Sequence, residues 1–172
     1  MNVFMSRGLL LLSSLFVVAG CSSAQHPVGG TPSAEGRKFL LPAEPASAKN
    51  VKEAKQQAAD NEEIVLVGRI GGEEKPFVDG AAAFTIVDTS LVPCSERPGE
   101  TCATPWDYCC DLNALPESTA TVKFVDANGS TLPVGAKELL GVAELQTVVV
   151  RGQAKRNGSN LVVHATGLYV KK

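Results

Sequence analysis

The stretch that decides the fold lies in the C-terminal part of the chain. VGAKELLGVAE (134–144) is followed by TVVVRGQA (147–154), RNGS (156–159) and NLVVHATGLYV (160–170). In the first segment Ala136, Leu139, Leu140 and Ala143 recur at helical spacing, which predicts a short helix with one apolar face. In the second, Val148, Val150 and Gly152 alternate with Val149, Arg151 and Gln153, the period-2 pattern of a strand. Asn157-Gly158 supplies the left-handed backbone of a tight hairpin turn, so 160–170 is predicted to fold back as the partner strand.

Three more strands precede the helix. Glu63 to Ile70 is dominated by Val, Ile and Leu, Ala82 to Asp88 places Phe84 and Ile86 on one face, and Ala120 to Asp126 sets Val122 and Phe124 opposite Lys123. Asp126-Ala127-Asn128-Gly129 carries another turn signal. The order is strand, strand, strand, short helix, strand, strand. That order resembles the OB-fold, the oligonucleotide/oligosaccharide-binding barrel, over residues 62–172. The resemblance implies a mainly β, five-stranded Greek-key barrel with its helix between strands 3 and 4. It also implies a binding face on strands 2 and 3 with the loops joining strands 1–2 and 4–5, here Gly71 to Ala81 and Lys155 to Asn160. Gly68 and Gly152 stand inside strands, where glycine marks a bend or bulge. An open five-stranded sheet with a helix at one end is the competing architecture.

Ahead of the barrel the chain divides into three parts. Residues 1–20 hold Arg7 and then an apolar run broken only by Ser13 and Ser14, ending in Val18-Ala19-Gly20-Cys21. The run is short for a membrane span and has the charged start, apolar middle and small-residue end of a secretory signal. It resembles a bacterial lipoprotein signal peptide with its lipobox. The resemblance implies cleavage before Cys21, lipidation of that residue and attachment of an exported domain to a membrane of the cell envelope by buried acyl chains. Ser22 follows Cys21 where an Asp would favour the inner membrane, so the sorting rules implied by the same resemblance point to the outer one.

Residues 21–46 are rich in Ser, Pro, Gly and Ala without a lasting apolar period, the composition of a flexible tether. Phe39-Leu40-Leu41 is an apolar island in it, free either to dock or to stay solvated. Residues 47–61 are predicted as an N-terminal helix, with Ser47 as N-cap and Val51, Ala54 and Ala58 at helical spacing.

The insertion 89–119 between the second and third strands is long for a compact domain, and loops of that length are functional or stapled. It carries Cys94, Cys102, Cys109 and Cys110, every cysteine except Cys21, together with Trp106 and Tyr108. Its string ATPWDYCCD (103–111) resembles a segment of exported bacterial lipoproteins of uncharacterised type, which implies export and no activity. Three chemistries are open to the four thiols. In an oxidising compartment an even count favours two disulfides, with Cys94 and Cys102 each joined to one of the vicinal pair. Four thiolates would alternatively hold zinc or a soft copper ion, although adjacent Cys109 and Cys110 depart from the usual zinc spacing. A redox-active vicinal pair would need a nearby cation, and Arg97 is the close one in sequence.

Formal net charge is −2 and aromatics make up 5% of the chain. Weak acidity gives no pull on nucleic acid, and few aromatics leave little to stack bases on; no nucleic-acid partner is expected. The sequence offers no catalytic residues and implies no cofactor: His26 falls in the tether, His164 on a strand, and no nucleophile motif or phosphate loop occurs. A resident metal is not expected if the disulfides form. The reading is a non-enzymatic binding or interaction module with a protein or glycan partner in the envelope. Metal handling and thiol redox chemistry are the alternatives. Candidate binding residues are Trp106, Tyr108, Lys123 and Arg151. Trp106 and Tyr108 alternate and would either pack the loop onto the barrel or grip a ligand. Lys123 and Arg151, with Arg69, Lys75, Lys155 and Arg156, form either a local basic strip or an ordinary mixed-charge surface.

If Cys21 is the lipidated residue, Cys21→Ser abolishes incorporation of radiolabelled palmitate and moves the protein out of the membrane fraction. Palmitate labelling that survives the substitution refutes the assignment.

Overall fold

A computed structural model describes Met1 and residues 29–172. Beyond Met1, the signal peptide 1–20, together with Cys21 and the first tether residues, lies outside the described residues. No helix among the described residues is long and apolar enough to cross a membrane.

The elements in chain order are β1 (Lys49–Asn50), α1 (Val51–Gln57), β2 (Glu63–Ile70), β3 (Ala83–Val87), α2 (Leu115–Ser118), β4 (Thr119–Phe124), α3 (Ala136–Leu140), β5 (Thr147–Asn157) and β6 (Asn160–Val170). The sheet runs β1-β2-β3-β4-β6-β5, and β5 returns to pair with β2. The result is a closed five-stranded OB-like barrel with one added strand, β1, parallel to β2. Closure rests on seven antiparallel pairs, from Glu63↔Gln153 to Arg69↔Thr147. The helix predicted between strands 3 and 4 is α3. The hairpin turn shrinks to Gly158-Ser159, because β5 continues to Asn157 rather than stopping at Ala154.

Period 2 sorts the side chains. Ile64, Leu66 and Ile70 from β2, Phe84 and Ile86 from β3, and Val122 and Phe124 from β4 fill the interior, with Val148, Val150, Leu161, Val163 and Leu168 from β5 and β6. Burying such side chains stabilises the fold by roughly 1.5–3 kcal/mol each. Gly152 sits at the register shift of β5, where an added Cβ would stand 2.3 Å from the His164 carbonyl oxygen. Any larger residue would push β5 and β6 apart at the bulge.

Residues 29–46, read from composition as tether, lie along the barrel instead. Phe39 meets Phe124 edge-on with ring centroids 4.9 Å apart. Leu41 N–H donates to the Leu168 carbonyl at 2.8 Å, and Leu168 N–H donates to the Phe39 carbonyl at 2.8 Å. Upstream, the Ser33 N–H donates to the Leu139 carbonyl, and Gly36 crosses α3 so closely that a Cβ would fall 1.6 Å from Leu139 O. The small residues that look like linker composition are what allow this backbone-to-backbone approach. The apolar island Phe39-Leu40-Leu41 is thus a docking segment.

The helix predicted over 47–61 narrows to Val51–Gln57, and Ser47 is not its cap. Ser47 adopts a left-handed conformation (φ 61°) that turns the chain into β1. Asn50 occupies the N-cap position without a side-chain capping bond. Asp88, just beyond β3, does that work from across the fold. Its Oδ2 accepts from Lys52 N–H at 2.8 Å and its Oδ1 from Ser90 N–H at 2.9 Å, and the residue is 1% exposed. An anion against the first turn of a helix satisfies its orphan N–H groups. Burial by itself would raise the Asp88 carboxyl, but the Lys52 and Ser90 N–H bonds and the Lys52 charge bring it below the ordinary aspartate value.

A carboxyl depressed in the folded state adds stability above its unfolded pKa, and that contribution disappears as pH falls through the folded one. Asp88→Asn is therefore expected to lower unfolding free energy at neutral pH by about 1–3 kcal/mol, with the difference from the parent shrinking toward acid pH. Denaturant unfolding of both proteins across that range checks it; a pH-independent difference contradicts the capping role.

Candidate functional site: the thiol loop and the groove on the barrel face

The insertion between β3 and β4 is held against one end of the barrel. Its two arms pair: Cys94 N–H donates to the Asp107 carbonyl at 3.1 Å and Ser95 N–H to the Pro105 carbonyl at 3.2 Å. Cys94 opens one short 3-10 turn, Cys94–Glu96, and Cys109 opens another, Cys109–Asp111. Arg97 and Asp111, from beside and within these turns, form an ion pair that clamps them together. Arg69 of β2 binds Glu96 at 2.6 Å and ties the loop to the barrel.

This framework brings three sulfurs together. The Sγ atoms of Cys94, Cys102 and Cys109 all lie within 4.8 Å of one another, with Cys94 and Cys109 at 3.4 Å. The four loop cysteines are free thiols, and 3.4 Å is well beyond the roughly 2.05 Å of a disulfide bond. None of the sulfur pairs of the expected two-bridge arrangement stands at bonding distance in this structure. Cys110 neighbours Cys109 but is not one of the three sulfurs that all meet; its own sulfur lies 3.9 Å from Glu100 Oε1. Vicinal residues on a 3-10 turn project in different directions, so Cys109 and Cys110 do not both face one centre. Asp107 and Asp111, nearby in sequence, are engaged elsewhere: Asp107 Oδ1 accepts from Tyr108 N–H at 2.7 Å and Asp111 pairs with Arg97.

Cys94 is fully buried, Cys102 half-buried and Cys109 exposed, so the trio opens to solvent on the Cys109 side. Its hydrogen bond to the Thr104 hydroxyl holds the Cys102 thiol below the usual cysteine range. The neighbouring Cys94 sulfur, with burial and Cys110, pushes the Cys109 thiol up to about 12.

The aromatic pair splits. Tyr108 is completely buried beneath the loop and packs on Gly71; it is an anchor and not, as its alternation with Trp106 allowed, a residue that grips a ligand. Burial pushes its phenol up to about 12 against the opposing charge of nearby Arg69, and its hydroxyl makes no well-formed hydrogen bond among the described residues. Trp106 is half-buried. Its indole N–H donates to the Glu74 carbonyl at 3.0 Å, while its own carbonyl accepts from Gly72 N–H at 3.1 Å. Both aromatics thus fasten the insertion to the loop joining β2 and β3. Lys123 lies on the outer side of β4 and Arg151 on that of β5, with β6 between those strands. The four candidate binding residues do not converge.

A groove does form on the outer face of β3, β4 and β6, with a volume of about 250 Å³. Its floor is Thr85, Thr119, Thr121 and Val162, the outward partners of the inward Phe84, Ala120, Val122 and Val163. Lys55 of α1 and Glu73 of the β2–β3 loop stand on its rim, with Asn157 and Asn160 flanking the hairpin turn. The Thr85 hydroxyl donates to Glu73 Oε1 at 3.1 Å. Lys55 Nζ donates to the Pro116 and Thr119 carbonyls at 2.6 and 3.0 Å, and burial, reinforced by the Arg156 charge, lowers its pKa. Sequence pattern identifies the strands and loops of this face but not the individual residues. The usable signal is the threonines alternating with core positions in β3 and β4. The floor becomes a groove only because α1 docks beside it.

No protein-family model matches the chain, and no curated protein matches it. Among solved structures, the hypothetical protein ygiW from E. coli is 14% identical and superposes with a TM-score of 0.37, covering 73% of this chain and 91% of that one. A putative aspartyl-tRNA synthetase from Leishmania major Friedlin is 9% identical with a TM-score of 0.39, covering 83% of this chain and 23% of the synthetase.

Because the Tyr108 hydroxyl is buried without a well-formed hydrogen bond among the described residues, Tyr108→Phe is expected to leave stability unchanged or raise it by up to about 1 kcal/mol. Tyr108→Ala, which empties the anchor site, lowers it by about 3–5 kcal/mol. Denaturant midpoints measure both, and a large loss in the Phe variant contradicts the unsatisfied hydroxyl.

Proposed function

We propose that this chain is a lipoprotein tethered to a membrane of the cell envelope, and that it acts as a non-enzymatic binding module. Its ligand is a segment of an envelope peptide or glycan, seated in the groove on the outer face of β3, β4 and β6. The groove is the observation that carries this reading. It combines the strand face and both loops that barrels of this architecture use for ligands, with Glu73 from one loop and Asn157 and Asn160 beside the other.

The lining also speaks to ligand chemistry. Threonine hydroxyls and asparagine amides both donate and accept, which suits backbone amides or sugar hydroxyls. One lysine and one glutamate face the groove from its rim, so the site has no dominant charge. Its volume falls just under the roughly 300–1,000 Å³ of small-molecule sites, which favours gripping one unit of a longer polymer. Export and attachment follow from the signal-like segment and Cys21, and an acyl anchor would hold the barrel within reach of envelope polymers. Outer-membrane placement follows from Ser22.

A photoreactive amino acid placed at Thr121 tests the reading in intact envelopes, with Arg151, an exposed residue of β5 outside the groove lining, as control. The expected result is a discrete crosslinked product from position 121 and none from 151, with the 121 product lost when Asn160→Trp fills the groove. Absence of a product at 121, or equal labelling at both positions, overturns the reading.

A further inference from the structure

We propose that Cys94, Cys102 and Cys109 form a three-coordinate thiolate site for a soft d10 cation, Cu(I), on the barrel-end loop and apart from the groove, and that Cys110 is not a ligand.

The first support is geometric. Three ligands arranged in a plane around a metal at about 2.3 Å from each sulfur stand roughly 4 Å from one another. The trio has one separation of 3.4 Å and none above 4.8 Å, so it brackets that value and needs sulfur movements within reach of side-chain rotation. A disulfide between two of these sulfurs would leave the third without a partner in the trio, since Cys110, beside Cys109, does not stand within reach of all three. An odd cluster fits a shared centre better than a pairwise bond.

The second support is the donor set. It is sulfur only, and soft thiolates select Cu(I), zinc or iron–sulfur clusters over hard cations. Structural zinc is almost always four-coordinate and closed, whereas this cluster presents three donors; of the carboxylates two residues from a ligand, Glu96 pairs with Arg69, Asp111 with Arg97, Asp107 takes the Tyr108 N–H and Glu100 faces Cys110. Three thiolates complete the shell of Cu(I), which accepts low coordination.

The third support is preorganisation. The paired backbone at Cys94–Asp107 and Ser95–Pro105, the Arg97–Asp111 clamp and the Arg69–Glu96 tie fix both turns that carry ligands. Cys94 lies at the closed end and Cys109 at the solvent-facing end, giving the ion a way in. Binding forms three Cu–S bonds and releases the three S–H protons to solvent; copper enters as Cu(I) and no electron is transferred.

The test uses the full chain solubilised in detergent. It is reduced, freed of reductant under anaerobic conditions and titrated with Cu(I) against a chromophoric Cu(I) chelator. One equivalent of Cu(I) per chain is expected, with thiolate-to-copper charge-transfer absorption in the ultraviolet. Cys102→Ser and Cys109→Ser are expected to weaken binding by at least about tenfold, while Cys110→Ser stays within about twofold of the parent. Cys109 is exposed, so its serine variant reports on binding even if the buried Cys94→Ser fails to fold. Three results overturn the proposal: no binding above the chelator, loss in Cys110→Ser equal to that in the other variants, or one equivalent of zinc that excess Cu(I) does not displace. A Cys94–Cys109 disulfide mapped by mass in protein isolated without reductant also overturns it.

Discussion

The pairing of β2 with β5 is the constraint on which the rest of this molecule depends. β2 meets β3 through only two residue pairs but meets β5 through seven. Without that second ladder, β2 and β5 would be the edges of a twisted open sheet, with their N–H and C=O groups unpaired. With it, the interior becomes a closed space, and Leu66, Phe84, Phe124 and Val150 face one another. Glycine at 152 is part of the same constraint, because β5 can bend toward β2 only where the backbones of β5 and β6 come closer than any side chain permits.

Closure also fixes where the chain can carry function. Once the strands form a barrel, their outward faces are all the surface available to a ligand, and most of it is convex. Two places among the described residues that depart from that shape are built by segments outside the barrel. Helix α1, held by the Asp88 carboxylate, turns the face of β3, β4 and β6 into a groove. The long insertion after β3, pinned by Tyr108, Trp106 and two ion pairs, folds over the barrel end and draws three thiols together. In each case a rigid sheet positions a less regular segment, the common division of labour between scaffold and site.

The strand and helix pattern was largely legible. Period 2 marked all five barrel strands because each has one face in the core, and the helical spacing of Ala136, Leu139 and Leu140 marked α3 because those residues plug the barrel. The misreadings share a different cause. Residues 29–46 have linker composition, yet small residues serve equally for close packing on α3 and β6, and composition does not tell the two uses apart. Ser47 looked like a cap because Ser usually is one; the cap came from Asp88, a residue from a different part of the chain. The cysteines are a separate case: parity and compartment favour two bridges among the four, and no pair of these sulfurs stands at bonding distance here. Those arguments count thiols without placing them, and adjacent side chains on a 3-10 turn diverge, which separates Cys110 from the other three.

Taken alone, the amino-acid sequence determined the alternation of buried and exposed residues, and through it the element order and barrel class. It also marked the signal-like segment ending at Cys21 and the concentration of thiols in one loop. These are properties of local periodicity and composition, which neighbouring residues carry without help from distant ones. Tertiary structure decided which thiols meet, that Tyr108 is an anchor rather than a contact residue, that the presumed tether packs, and that threonines on three strands share a groove. Each of these depends on backbone segments far apart in the chain arriving within a few ångströms, and only closure of the sheet fixes those distances.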